Sequence, residues 1–237
     1  MSVMVVTGTG TEVGKTVVTA AVAAAALAAG RSVAVLKPAQ TGVGPDEPGD
    51  VAEVLRLAGP VTGVELARFP EPLAPATAAR RAGLAPVLPQ EIARAAAELA
   101  ASHDLVLIEG AGGLLVRLDD AGATLADVAG LLDAPVLVVA QAGLGTLNTT
   151  ELTTEALRSR GLRCTGVVIG SWPADPDLAM RCNLADLPEV SGAALLGAVP
   201  ERAGALPPQD FREAALSWLT PELGGTWDGA VPCGAFR

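Results

Sequence analysis

The chain has 237 residues, half of them apolar, with a formal net charge of −10 and a single histidine. That charge excludes a general nucleic-acid binder, since a phosphate backbone needs a basic surface, but it leaves room for a small anion held by backbone amides. Only 3% of residues are aromatic and none is Tyr, so the core has to be aliphatic, which suits buried parallel strands under Ala-rich helices.

Residues 3–6 are a short apolar run and predict a buried strand. The turn after it reads Gly8-Thr-Gly-Thr-Glu-Val-Gly14-Lys15-Thr16. Residues 15–29 have high helix propensity and stop at Gly30. Residues 32–36 predict the second strand, 41–49 a loop, and 51–58 a helix ending at Gly59. Residues 60–75 are Pro-rich and read as irregular, with helices over 76–82 and 89–102. Residues 105–108 predict a strand that stops at Glu109-Gly110-Ala111-Gly112-Gly113. A helix over 124–132, a strand over 136–140 and a helix over 147–160 follow, then strands over 165–169 and 194–199.

Strands alternate with helices, and most strands are continuous apolar runs. The pattern predicts an α/β fold, a doubly wound, mostly parallel sheet with helices on both faces, of the P-loop NTPase type. Residues 1–220 read as one domain and the Gly-rich stretch 221–237 as a mobile tail. No apolar run is long enough to span a bilayer, and residues 1–7 lack the features of a signal peptide. Cys164, Cys182 and Cys233 form neither CxxC nor a zinc spacing; the expectation is reduced thiols in a cytoplasmic protein.

The Gly8–Thr16 turn sits between a strand and a helix, where a phosphate loop belongs. Its glycines let the backbone wrap phosphate oxygens, Lys15 supplies a point charge, and the Thr16 hydroxyl is suited to magnesium. Five residues separate Gly8 from Gly14, one more than in the common form of this loop. Of 16 basic residues only Lys15 and Lys37 are lysine. A compact ammonium fits among crowded phosphate oxygens where a planar guanidinium does not, so both lysines are expected at the reacting centre. Lys37 falls at the C-terminal end of the second strand, the ligand-binding edge of such a sheet.

Glu109 ends a strand and is a candidate magnesium ligand. Asp50 is either a ligand or a helix N-cap. The helix start Gly145-Thr146-Leu147-Asn148 either presents amides to a carboxylate or is a plain cap. His103 lies away from the ligand edge, and no nucleophile–histidine set can be assembled. The chemistry is therefore expected to rest on positioning and charge neutralisation.

The turn at 8–16, Lys37-Pro-Ala-Gln-Thr-Gly42, Glu109-Gly-Ala-Gly-Gly113 and Gly145-Thr-Leu-Asn148 occur in the order found in dethiobiotin synthetases. The chain resembles that family from residue 3 to about 200. The resemblance implies a homodimer that takes 7,8-diaminononanoate, carbon dioxide and magnesium ATP. It implies Lys15 and Lys37 neutralising the reacting groups, and Thr16, Asp50 and Glu109 holding magnesium. Glu12, Val13, Gly14, Lys15, Thr16 and Val17 would wrap the phosphates, next to Gly110, Ala111 and Gly112. Thr41 would contact the diamine or its carbamate. Gly145, Thr146, Leu147 and Asn148 of the other subunit would bind its carboxylate tail. Gly170 and Ser171 would form one wall of the base pocket, and Pro200, Glu201 and Arg202 the other. Many members carry Asp where this chain has Gly10, and an adenine-reading Asn in the stretch Gly170-Ser171-Trp172-Pro173. Without that Asn, other nucleoside triphosphates besides ATP are expected to be accepted.

Two alternatives keep the fold. Corrin-type amide-forming synthetases usually carry an added glutaminase domain, for which this chain is short. Partitioning and septum-site switch ATPases usually carry a lysine early in the phosphate loop, which residues 9–13 lack. No basic amphipathic terminal helix suggests a membrane partner either.

Overall fold

The computed structural model describes residues 2–229. In chain order the elements are β1 (Ser2–Gly8), α1 (Lys15–Ala28), β2 (Val33–Thr41), α2 (Asp50–Ala58), β3 (Thr62–Phe69), α3 (Pro75–Ala82) and α4 (Pro89–Ala100). Then come β4 (Leu105–Gly113), α5 (Leu125–Leu132), β5 (Val136–Ala140), α6 (Thr146–Ser159), β6 (Cys164–Trp172), α7 (Leu178–Ser191), β7 (Leu195–Pro200) and α8 (Pro208–Ala215). The seven strands form one sheet in the order β3-β2-β4-β1-β5-β6-β7, and neighbouring strands run parallel throughout.

Alternation along the strands explains how both faces are covered. On β1, Val6 joins the core shared with α1, α2 and α8, while Val5 joins the core under α3 to α6. On β4, Leu107 and Ile108 divide the same way. A strand buried on both faces reads as an unbroken apolar run, which is why these strands were legible. The seven consecutive residues from Ala20 to Ala26 of α1 are all buried. Small side chains let this helix lie close against the sheet.

The expectation for residues 60–75 needs correcting, since β3 lies inside that stretch. It is an edge strand with a single partner, β2, and it carries Glu65 and Arg68, so its apolar pattern is diluted. Helices α7 and α8 had no counterpart in the sequence reading; Pro188 interrupts the pattern of α7. The stretch from Pro221 begins as packed structure. Leu223 and Trp227 are buried, and the Trp227 N–H donates to Leu219 O at 2.8 Å. Cys164 and Cys182 are free thiols, whereas Cys233 lies outside the described residues. Among the described residues no helix is long and apolar enough to cross a membrane.

The C-terminal ends of β1, β2 and β4 converge. The pairing of β1 with β4 shifts register between Val6 and Gly8, so that Gly8 faces Gly113. That shift throws Gly110 to Gly112 into a bulge beside the phosphate-type loop.

Candidate active site

The loop between β1 and α1 is fixed by backbone geometry. Gly14 has φ +93°, and a Cβ there would collide with Gly170 O. Only glycine combines that dihedral with so close an approach. The loop folds over its own lysine: Lys15 Nζ donates to Gly10 O at 2.9 Å. Thr16, in the first turn of α1, donates its hydroxyl to Glu109 Oε1 at 2.9 Å.

Lys37 stands at the centre of the site with 3% of its surface exposed. Its ammonium donates to Glu109 Oε1 at 2.9 Å and Gly110 O at 3.0 Å, and it forms an ion pair with Asp50. Burial alone would lower its pKa, but Glu109 and Asp50 together outweigh burial and hold it above the usual lysine value. Lys15 is held below that value, first by burial and then by repulsion from Lys37, with Glu109 and Asp50 only partly offsetting the two. Two ammonium groups thus share two carboxylates in one desolvated place.

These groups border a cavity of about 790 Å³. Glu12, Gly14, Lys15, Thr16 and Val17 lie along one side of it, with Thr41 and Asp50 from the β2–α2 region and Glu109, Ala111 and Gly112 from β4. Val13, within the loop, is buried, and Gly110 contributes its carbonyl to Lys37. The far wall is one that sequence reasoning missed: Val43, Pro72, Leu73, Pro75 and Val116. The prolines of the stretch read as irregular were its only signal.

Other expected residues lie outside this cavity. Gly170 packs against the phosphate-loop backbone at Val13 and Gly14, and Ser171 is exposed. Glu201 donates its backbone N–H to Trp172 O at 2.7 Å, which keeps the segment holding Pro200, Glu201 and Arg202 beside the end of β6. Gly145, Thr146, Leu147 and Asn148 do not border the cavity of their own chain either. Gly145 is the N-cap of α6; Thr146, considered as a capping residue, instead donates its hydroxyl to Gln141 O at 2.6 Å. Asp50 opens α2 as its first residue, and Gly49 occupies the cap position. His103 lies just before β4, bonded to Thr62 Oγ1 at 2.7 Å and to Leu99 O.

The donor set suits a magnesium ion shared with phosphates. Among the described residues no cluster of three or more His, Cys, Asp or Glu side chains forms a metal cage. Magnesium on a nucleotide asks for less, typically one or two carboxylates plus phosphate oxygens and water. Glu109 Oε2 is buried and has no hydrogen-bond partner, a cost that a cation would relieve.

A parallel, doubly wound sheet with a glycine loop and lysine between its central strand and first helix defines a P-loop nucleotide-binding protein. Comparison with known proteins agrees and goes further. A family model described as an AAA domain matches residues 2–209. A Streptomyces avermitilis protein named ATP-dependent dethiobiotin synthetase BioD is 73% identical over 236 residues, covering 100% of this chain and 99% of its own. A protein of the same name from Mycobacteroides abscessus is 48% identical, with 94% of this chain and 97% of its own covered. Among solved structures, the septum site-determining protein MinD with Mg-ADP from Pyrococcus horikoshii is similar at TM-score 0.55 and 16% identity, over 91% of this chain and 95% of that one. A ParA family ATPase from Chlorobium tepidum is similar at TM-score 0.54 and 14% identity, over 94% and 95%. At such identities the structural likeness is one of fold. The chain belongs to the ATP-dependent dethiobiotin synthetase family.

Proposed function

We propose that this protein closes the cyclic urea of dethiobiotin from 7,8-diaminononanoate and carbon dioxide at the expense of ATP, as a cyclo-ligase of biotin biosynthesis. The observation that carries the reading is the pair of lysines. The chain's only two are both buried, border one cavity and share Glu109 and Asp50 as counter-charges.

One amine of the diamine adds to carbon dioxide and loses a proton, giving a carbamate. A carbamate oxygen attacks the γ-phosphorus and ADP leaves, forming a carbamic–phosphoric anhydride. The second amine attacks the carbamoyl carbon, phosphate departs and the ring closes. Every reacting atom belongs to a ligand, so the protein's work is positioning and charge neutralisation. Lys37 and Lys15 neutralise the carbamate and the transferring phosphoryl group. The backbone of Glu12 to Val17 wraps the phosphates, and Thr41 contacts the diamine. Thr16, Asp50 and Glu109 hold magnesium, which when bound supplies further neutralisation of the phosphate oxygens.

The working unit in this reading is a cytoplasmic homodimer in which Gly145 to Asn148 of the second copy bind the substrate's carboxylate tail. That would account for their lying off the cavity of their own chain. The walls at Gly170, Ser171, Pro200, Glu201 and Arg202 meet the base with little side-chain readout. ATP, CTP and GTP should therefore compete on nearly equal terms; a strong preference for ATP in competition binding would remove this part of the reading. The function itself is tested by supplying diamine, bicarbonate and magnesium ATP. Phosphate release that depends on the diamine, with a product of dethiobiotin's mass, is expected. Release indifferent to the diamine would instead favour a nucleotide-switch ATPase.

A further inference from the structure

Helix α2 starts without the side-chain cap that such a terminus normally has. Its N-cap is Gly49, and no side chain at that position accepts from the first turn. The missing acceptor comes from another element. Gln40, near the end of β2 and 4% exposed, accepts the backbone N–H of Asp50 on its Oε1 at 2.8 Å. Glycine at 49 is what permits this, since a Cβ there would lie 2.7 Å from Gln40 Oε1 and 2.9 Å from Glu65 Oε1.

Asp50 is therefore gripped twice by one strand. Lys37 of β2 pairs with its carboxylate, and Gln40, three residues further on, holds its backbone. The carboxylate is the more exposed of the two that meet Lys37, at 34% against 1% for Glu109. A half-exposed side chain at a helix start depends on that start being fixed, because the first turn is where helices fray.

We infer that Gln40 is a positioning residue that sets Asp50 for the metal–nucleotide site by capping α2 from the neighbouring strand. The inference rests on the reading of Asp50 as a magnesium ligand. Gln40→Leu keeps the bulk and removes the acceptor, together with the amide donor that reaches Thr41 O at 3.3 Å; Gln40→Glu loses that donor too but keeps an acceptor toward Asp50.

The test uses the full-length protein with two readouts. Hydrogen exchange at the Asp50 amide should quicken about tenfold in Gln40→Leu and return toward the wild-type rate in Gln40→Glu, as expected for loss and recovery of one hydrogen bond. Mn²⁺ affinity, followed by electron paramagnetic resonance with a non-hydrolysable ATP analogue, should weaken several-fold in Gln40→Leu; Gln40→Glu serves the exchange readout alone, since Gln40 borders the same cavity and a carboxylate there would attract the cation directly. Asp50→Asn is measured alongside. If Asp50→Asn weakens Mn²⁺ while Gln40→Leu leaves either the exchange or the affinity unchanged, the inference is overturned. If Asp50→Asn binds Mn²⁺ as wild type does, the metal reading of Asp50 falls instead, whatever Gln40 does to the amide.

Discussion

At the scale of single residues, the site depends on unlike fates for two lysines. Lys37 is held by two carboxylates and a carbonyl, so no phosphate is needed to place it. Lys37→Ala should lower ring closure at least about 100-fold, a typical cost of losing one charge-stabilising group, while nucleotide binding stays measurable by calorimetry. Normal turnover would remove Lys37 from the mechanism. Lys15 is the one that pH should reach. Its pKa is lowered by burial and by Lys37, so on raising the pH it loses its proton ahead of Lys37, whose pKa is raised. Nucleotide affinity should then fall on the alkaline side, beginning below the ordinary lysine value of 10.5. Lys37→Met removes the repelling charge and should move that limb to higher pH; an unmoved limb would mean the two ammonium groups are not coupled. The stability signs are opposite. The contribution of Lys37 is full below 10.5 and is lost as pH rises through its raised value, whereas stability rises with pH between the lowered value of Lys15 and 10.5.

At the scale of elements, the joint between β1 and α1 carries the tightest constraint. Gly14→Ala meets both a left-handed dihedral and the Gly170 carbonyl. It should cost more than about 1 kcal/mol of stability, read as a lowered unfolding midpoint, with nucleotide affinity falling as the loop shifts. An unchanged midpoint would show that the contact between β6 and the loop is easily relieved. The phosphate loop, the strand ahead of it and the helix behind it were legible in sequence because glycines, lysine and an apolar run coincide there. Helix α2 shows the opposite. Asp50 could be read as a cap or as a ligand, and the structure shows Gly49 in the cap position. The acceptor that completes the helix start comes from Gln40, ten residues earlier in the chain, a distance at which no local pattern signals the pairing. Strand β3 was hidden for a related reason: one partner and a mixed surface leave no continuous apolar run.

At the scale of the whole molecule, the cavity has one wall of charge and one of Pro, Val and Leu, which suits a substrate with two amines on an aliphatic chain. Leu144, at 91% exposure, stands next to the helix start that is off the cavity in its own chain. Leu178 opens α7 at 70% exposure, and a Cβ on Gly143 would lie 3.5 Å from Met180 of the same helix. Apolar side chains so exposed beside a segment proposed to serve a second copy favour an interface there. In the proposed homodimer, Leu144→Asp should shift sedimentation toward the monomer and raise KM for the diamine severalfold, with KM for nucleotide little changed. A stable dimer with unaltered KM would place the interface elsewhere. The parallel sheet, the phosphate loop and the two singular lysines are written in local spacing or in composition, and the order of four motifs carries the family resemblance. Which carboxylates face which ammonium, that Gln40 holds Asp50, and that Gly170 packs on the loop emerge only from the folded chain. Those contacts join residues as far apart in the chain as Val13 and Gly170, and they exist only once the sheet order has brought the strand ends together.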